Sequence, residues 1–220
     1  MKKAECAKLF ETADFVETDT FAYERELFRQ GIGRVAGTDE AGRGPLAGPV
    51  VAACVILPAG CDFSPFKDSK KISAVERARL HGLLLENGAE IGIGHGTVED
   101  IDRINILQAS LLAMKRAVGA LAGKPDFLLV DGKFPVPLFI PQKSLVRGES
   151  RSASIAAASV VAKLERDRLM KSYHQKYPRY NFARHKGYPT LEHRQLLEKY
   201  GPCEIHRRGF KGVREHWLGQ

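Results

Sequence analysis

Residues 35–57 read VAGTDEAGRGPLAGPVVAACVIL. Two apolar runs, 34–38 and 50–57, are rich in Val, Ile and Ala and predict strands. Between them lies AGRGPLAGP, with three glycines and two prolines, a turn-forming stretch. Asp39 and Glu40 sit where the first strand ends. Two adjacent carboxylates beside a buried strand are costly unless they are paired or bind metal. A polar turn closing a hairpin is the alternative on local grounds. Neighbouring strand residues point to opposite faces. Both side chains therefore reach one metal pair only if the strand kinks after Asp39. Otherwise Glu40 offers its carbonyl, or serves through a second metal or a water. Gly42 and Gly44 permit close backbone approach. Arg43, between them, has the setting of a phosphate clamp with N–H groups around it.

Outward from this stretch the chain alternates strands and helices. Residues 4–29 predict a helix, ended by Gly31 and Gly33. Ser73 and Glu76 form a capping-box pattern that opens a helix through Glu86, stopped by Asn87-Gly88. Residues 90–95 alternate as a strand, with glycines where something approaches closely. Residues 100–121 carry apolar side chains at helical spacing. Residues 127–130, FLLV, predict a buried central strand, and a further short strand includes Leu145 and Val146. Residues 152–177 predict a long helix whose first half, SASIAAASVVAK, is small and apolar, so something packs against it closely. Residues 190–200 predict one more helix, closed by Gly201-Pro202, ahead of a basic tail. The result is a mixed α/β chain with a sheet and flanking helices.

Composition narrows the function classes. The chain has 220 residues, a net charge of +8 and 44% apolar residues, which is globular rather than disordered. The charge is divided unevenly. Residues 1–110 hold 13 Lys/Arg and 17 Asp/Glu, while residues 111–220 hold 21 and 9. A basic second half suits a phosphate-bearing partner, and a solubilising surface is the alternative. Cys6, Cys54, Cys61 and Cys203 show no CxxC spacing, so they predict free thiols in a reducing compartment. The basic N-terminus has no apolar segment behind it, and residues 45–57 are too short and broken to span a bilayer. These features predict a cytoplasmic protein with no membrane association; a monomer is expected apart from them.

Further candidates lie downstream. Asp131 ends FLLV and begins an Asp-Gly pair. Ligands bind at the carboxyl ends of strands in open α/β sheets, although Asp-Gly turns are common in any fold. Together with Asp39 and Glu40, Asp131 would make an oxygen-ligand site for Mg²⁺ or Mn²⁺. Two such ions about 3.5–4 Å apart would activate water and stabilise a leaving oxygen. Glu149, just before the small-residue helix, is a fourth ligand or an acid favouring the helix N-terminus. Asp167 lies mid-helix and predicts an ion pair with its arginine neighbours. Lys70, in DSKK, is a phosphate contact or a solvated lysine. Tyr188, in HKGY, offers an aromatic face beside basic groups, for stacking on a sugar or base, unless it is a core tyrosine. No P-loop, GxGxxG or Ser/His/Asp order stands out.

GTDEAGRGPLAGPVVAACVILP, DSKKIS, LLVDG, SIAAASVVAKLERDRLM and HKGYPT occur in this order. The set resembles ribonuclease HII, the type 2 ribonuclease H of bacteria, from about Val35 to about Arg208. The resemblance implies a ribonuclease H-like fold: a mixed five-stranded sheet flanked by helices, with a C-terminal helical extension. Residues 1–30 would be an N-terminal helical extension and 31–220 the catalytic domain. The family cleaves the RNA strand of RNA–DNA hybrids and nicks duplex DNA 5′ to an embedded ribonucleotide. It leaves 3′-hydroxyl and 5′-phosphate ends and requires manganese or magnesium. By motif position, Asp39, Glu40 and Asp131 match the family's metal-binding acids. The family's fourth acid is usually an aspartate, and this chain has Glu149 there. Gly42, Arg43 and Gly44 match the element that senses the ribose 2′-hydroxyl and holds the phosphate. Tyr188 matches the tyrosine that stacks on the following deoxyribose. A nucleic-acid-binding module without catalysis, and another two-metal nuclease on the same fold, are the competing readings.

Overall fold

The two apolar runs form the centre of the sheet. In the computed structural model, which describes residues 19–58, 66 and 72–217, β1 is Val35–Ala41 and β2 is Val50–Ile56. They pair antiparallel without a break, from Ala36 opposite Ile56 to Ala41 opposite Val51. β3 (Glu90–Gly96) adds antiparallel to β2. β4 (Phe127–Asp131) and β5 (Gln142–Leu145) add parallel on the other side of β1. The order is β3-β2-β1-β4-β5, a mixed five-stranded sheet.

The helices are α1 (Ala22–Arg29), α2 (Ala74–Glu86), α3 (Val98–Gly119) and α4 (Ala153–Lys176). They are followed by α5 (Phe182–His185), α6 (Leu191–Tyr200) and α7 (Arg214–Trp217). α3 lies on one face of the sheet, where Ala109, Ala113 and Ala117 join Ala52, Cys54 and Leu128 in one core. The glycines of β3 let it settle there. A Cβ on Gly92 or Gly94 would stand 2.1 or 2.2 Å from the carbonyl oxygens of Ala117 or Ala113. α4 lies on the other face, with Ala156, Ala157, Val160 and Val161 against Ala53, Val55 and Leu80. Its small residues meet β1 at Gly37, where a Cβ would come within 2.3 Å of the Ile155 nitrogen. Close backbone approach is what that sequence implied.

Several boundaries differ from the sequence reading. Ser152 and Thr190 are N-caps rather than helical residues, each accepting an amide hydrogen three residues on. α3 begins at Val98, because Thr97 and Asp100 form the reciprocal capping box there. At Ser73 only half of such a box forms, with its side chain accepting from Glu76 N–H. α3 is also interrupted at Asn105 (φ 67°), whose carboxamide oxygen caps Leu107 and Gln108. β5 stops at Leu145, and Val146 is exposed beyond it. Within the predicted 4–29 helix, residues 4–18 lie outside the described residues, and the helix found is α1.

α1 is packed into the core through Tyr23 and Leu27, beside Phe127, Leu129 and Ile155. Glu24 on this helix is buried and accepts the hydroxyls of Ser152 and Ser154, each at 2.6 Å, and the Ser154 amide at 3.1 Å. The acid at the N-terminus of α4 is therefore Glu24, supplied from far away in sequence. Among the described residues, no helix is long and apolar enough to cross a membrane.

Candidate active site

β1 outruns its parallel neighbour. Its pairing with β4 ends at Thr38 opposite Val130, so Asp39, Glu40 and Ala41 continue along β2 alone. Asp131 ends β4 level with Asp39. The carboxylates of Asp39, Glu40 and Asp131 each place an oxygen within 4.8 Å of the others. β1 keeps its register with β2 through Ala41, so the three carboxylates meet without a break in the strand. Asp39 shares a face with Asp131, and the longer Glu40 side chain reaches them where β4 has ended.

Each carboxylate is held. Asp39 is 5% exposed. Its Oδ1 accepts the Glu40 amide at 2.7 Å, and it bonds to Ser159 of α4. Asp131 Oδ1 accepts the Gly148 amide at 2.7 Å. Glu40 Oε1 accepts from Arg43 at 3.2 Å. Burial raises the pKa of Asp39 well above the usual carboxylate range, and the charges of Glu40 and Asp131 push it further. Burial raises Glu40 too, against the lowering effect of Arg43. The three clustered acids present carboxylate oxygens to one another, with Arg43 beside Glu40. A small divalent cation takes an all-oxygen donor set of this kind, so these residues fit Mg²⁺ or Mn²⁺. Glu149 lies in a 3₁₀ turn, Gly148–Ser150, and is half-buried outside this three-carboxylate group. It immediately follows the amide that fixes Asp131.

The loop after β1 stands on two fully buried arginines that the sequence did not single out. Arg166 of α4 donates to the carbonyls of Ala47, Pro49 and Lys186, each at 3.1 Å. Arg207 donates to the carbonyls of Gly42 at 2.6 Å, Arg43 at 2.9 Å and Gly48 at 2.9 Å. Burial works against the charge on both guanidiniums. Arginine nevertheless keeps its proton, so two cations sit beneath the loop. Neither was legible: one lies in a charged helical run, the other in a basic tail. Asp167, next to Arg166, pairs instead with Lys163 at 2.7 Å and Arg77 at 3.5 Å. The expectation of arginine neighbours fails because Arg166 turns to the loop and Arg168 to Glu165.

Tyr188 is 41% exposed, not a core residue. A Cβ on Gly44 would lie 3.9 Å from its ring. Lys163 and Arg166 each lie 5.8 Å from the ring centroid. Leu46 N–H donates to the Gly187 carbonyl at 2.8 Å, which ties the two loops together. The structure thus gathers the carboxylates, Gly42, Arg43, Gly44 and Tyr188 at one end of the sheet. Lys70 lies outside the described residues.

Comparison with known proteins bears on the family and the fold. The ribonuclease HII of Desulfotalea psychrophila is 56% identical over 201 residues, covering 90% of this chain and 89% of its own. That of Syntrophotalea carbinolica is 54% identical over 194 residues, covering 88% and 93%. The crystal structure of the ribonuclease H2 from Pyrococcus horikoshii OT3 superposes with a TM-score of 0.69 at 24% identity, over 84% of this chain and 98% of that one. At that identity it establishes the fold. The sequence profile of the family described as Ribonuclease HII matches residues 36–217, so this chain belongs to the ribonuclease HII family.

Proposed function

We propose that this chain is a divalent-metal-dependent endoribonuclease. It would cleave the RNA strand of RNA–DNA hybrids and nick duplex DNA 5′ to an embedded ribonucleotide. The observation that carries the reading is the meeting of the Asp39, Glu40 and Asp131 carboxylates within 4.8 Å beside the Gly42–Gly44 loop. These three side chains would hold the metal, with Glu149 assisting from the turn that fixes Asp131. Bound there, Mg²⁺ or Mn²⁺ supplies Lewis-acid activation of water and stabilisation of the leaving 3′-oxygen.

The remaining steps belong to the protein's own residues. Arg43 is half-exposed and bonded to Glu40 through one nitrogen, which leaves donors for a backbone phosphate. The main chain of residues 42–44, held from below by Arg207, would meet a ribose 2′-hydroxyl. Tyr188, beside Gly44, would stack on the next sugar. The buried cations Arg166 and Arg207 make the loop's surroundings favourable to polyanion.

The test is a 5′-labelled RNA–DNA hybrid incubated with Mn²⁺, with Mg²⁺ and with EDTA. The reading expects metal-dependent cuts in the RNA strand that leave 5′-phosphate ends. It also expects no cuts by Asp39→Asn or Asp131→Asn, while both still bind the hybrid. Full cleavage by either variant, or in EDTA, contradicts the assignment.

A further inference from the structure

Three buried histidines lie behind Tyr188, and the fold leaves only one way to place their protons. Cys203 N–H donates to Nδ1 of His206 at 2.9 Å. With Nδ1 accepting, a neutral His206 carries its proton on Nε2. That atom lies 3.1 Å from Nε2 of His193. His206 therefore donates, and His193 accepts. His193 then carries its own proton on Nδ1, 3.0 Å from the main-chain oxygen of Tyr188. The chain of donors runs from Cys203 through His206 and His193 to Tyr188. His185 stacks on His193 with centroids 4.3 Å apart. Its own protons are ordered as well, since Nδ1 accepts Gly187 N–H at 3.1 Å and Nε2 donates to the Tyr180 oxygen at 2.6 Å.

The chain of donors ends at the main-chain oxygen of Tyr188. The Tyr188 side chain stands in solvent for 41% of its surface, so burial does not fix its position. His193 and His206 are 0% and 1% exposed. The residue after His206 is Arg207, which grips the carbonyls of Gly42 and Arg43. His206 is also bridged to Ala47 of the same loop. One short segment, 203–207, thus supports both the 42–44 loop and the backbone of Tyr188.

We infer that His193 and His206 are positioning residues that hold Tyr188 in register with the Gly42–Gly44 loop. They touch no substrate and act through the tyrosine. The inference rests on the reading of Tyr188 as the sugar-stacking residue. Satisfying a buried donor chain in one arrangement rigidifies what it ends on.

The test is a double-mutant cycle of His193→Phe with Tyr188→Ala. It is read as single-turnover nicking at a lone ribonucleotide and as cleavage of a continuous hybrid. In the Tyr188 background, His193→Phe should slow nicking at the lone ribonucleotide about tenfold and hybrid cleavage less than about twofold. In the Tyr188→Ala background it should add less than about twofold to the loss. His193→Asn keeps a donor in the place of Nδ1–H, so it should lose no more than about threefold. His206→Leu, which breaks the same chain one step back, carries the cycle if His193→Phe does not fold. Equal losses on both substrates, or equal losses in both backgrounds, would show histidines that support only the fold. A wild type that does not nick at the ribonucleotide contradicts the function reading along with this inference. A wild type that nicks, with additive losses, contradicts the inference alone.

Discussion

Gly42 sits directly against Arg166: a Cβ built on it would stand 2.0 Å from the guanidinium Nε. Residue 42 also has φ +101°, a conformation that side chains rarely adopt. The turn of the loop and the arginine beneath it share space only because residue 42 has no side chain. Gly42→Ala should therefore cost about 2–4 kcal/mol, from backbone strain and overpacking together. It should also reduce nicking more than the lost stability explains. Urea unfolding and a nicking assay at a temperature where the variant is folded measure both. A variant as stable and active as wild type would mean that the loop is not pinned here.

Arg207 donates to three loop carbonyls, those of Gly42, Arg43 and Gly48. Arg207→Met removes the charge and leaves those acceptors without it. The expected destabilisation is about 2–5 kcal/mol, since stranded buried polar groups cost more than the bonds themselves gain. Arg207→Lys restores charge but not the fork, and should recover less than half of the loss. Full recovery by lysine would mean that charge, rather than geometry, is what the loop needs.

The carboxylate cluster opposes the fold in the absence of metal. The pKa of Asp39 is raised, so its cost is present above that pKa and is relieved as pH falls through it. Asp39→Asn removes the charge and should raise the melting temperature of the metal-free protein by several degrees at pH 7. Mn²⁺ should raise the melting temperature of the wild type, because it binds only the folded form, and should do so far less for the variant. Scanning fluorimetry across a metal titration reads both effects. Equal metal shifts in the two proteins would place the ion elsewhere.

The buried histidines act on stability in the opposite direction. Burial pushes His193 down to about 4 and His206 to about 3. The folded chain keeps them neutral, while the unfolded chain takes up protons near the usual histidine value. Stability should therefore fall as pH drops from about 6.5 toward 4. His193→Asn removes one such group and should lose about 1–2 kcal/mol less than wild type between pH 7 and pH 5. Urea melts at the two pH values provide the comparison. Identical pH slopes would mean that His193 is charged in the native protein.

Local chemistry was legible in the sequence, and long-range support was not. The strands on either side of residues 42–49, the glycines of β3 and the helix stop at Asn87-Gly88 all follow from neighbours in the chain. So do Asp39, Glu40 and Asp131 as strand-end acids, whose positions are set by strand ends and turns. What was missed depends on partners far apart. Arg166 reaches the Pro49 carbonyl across 117 positions, and Glu24 reaches Ser152 across 128. A charged residue in a basic or acidic run gives no sign that its partner is a buried main-chain oxygen. The 4–29 helix pattern likewise gave no sign that Glu24 would meet α4. Glu40 illustrates a third case: alternation along a strand predicts its face but not how far its side chain reaches past the end of the next strand.

On the proposed function, this end of the sheet reads an RNA-to-DNA step and cuts beside it with metal. The most direct measurement uses a labelled DNA duplex with one ribonucleotide, run with Mn²⁺, with Mg²⁺ and with EDTA, beside an all-DNA duplex. The expected result is a single metal-dependent nick immediately 5′ of the ribonucleotide, with the all-DNA duplex intact and EDTA abolishing the nick. Cutting of the all-DNA duplex, or binding of the ribonucleotide duplex without a nick in either metal, would contradict it.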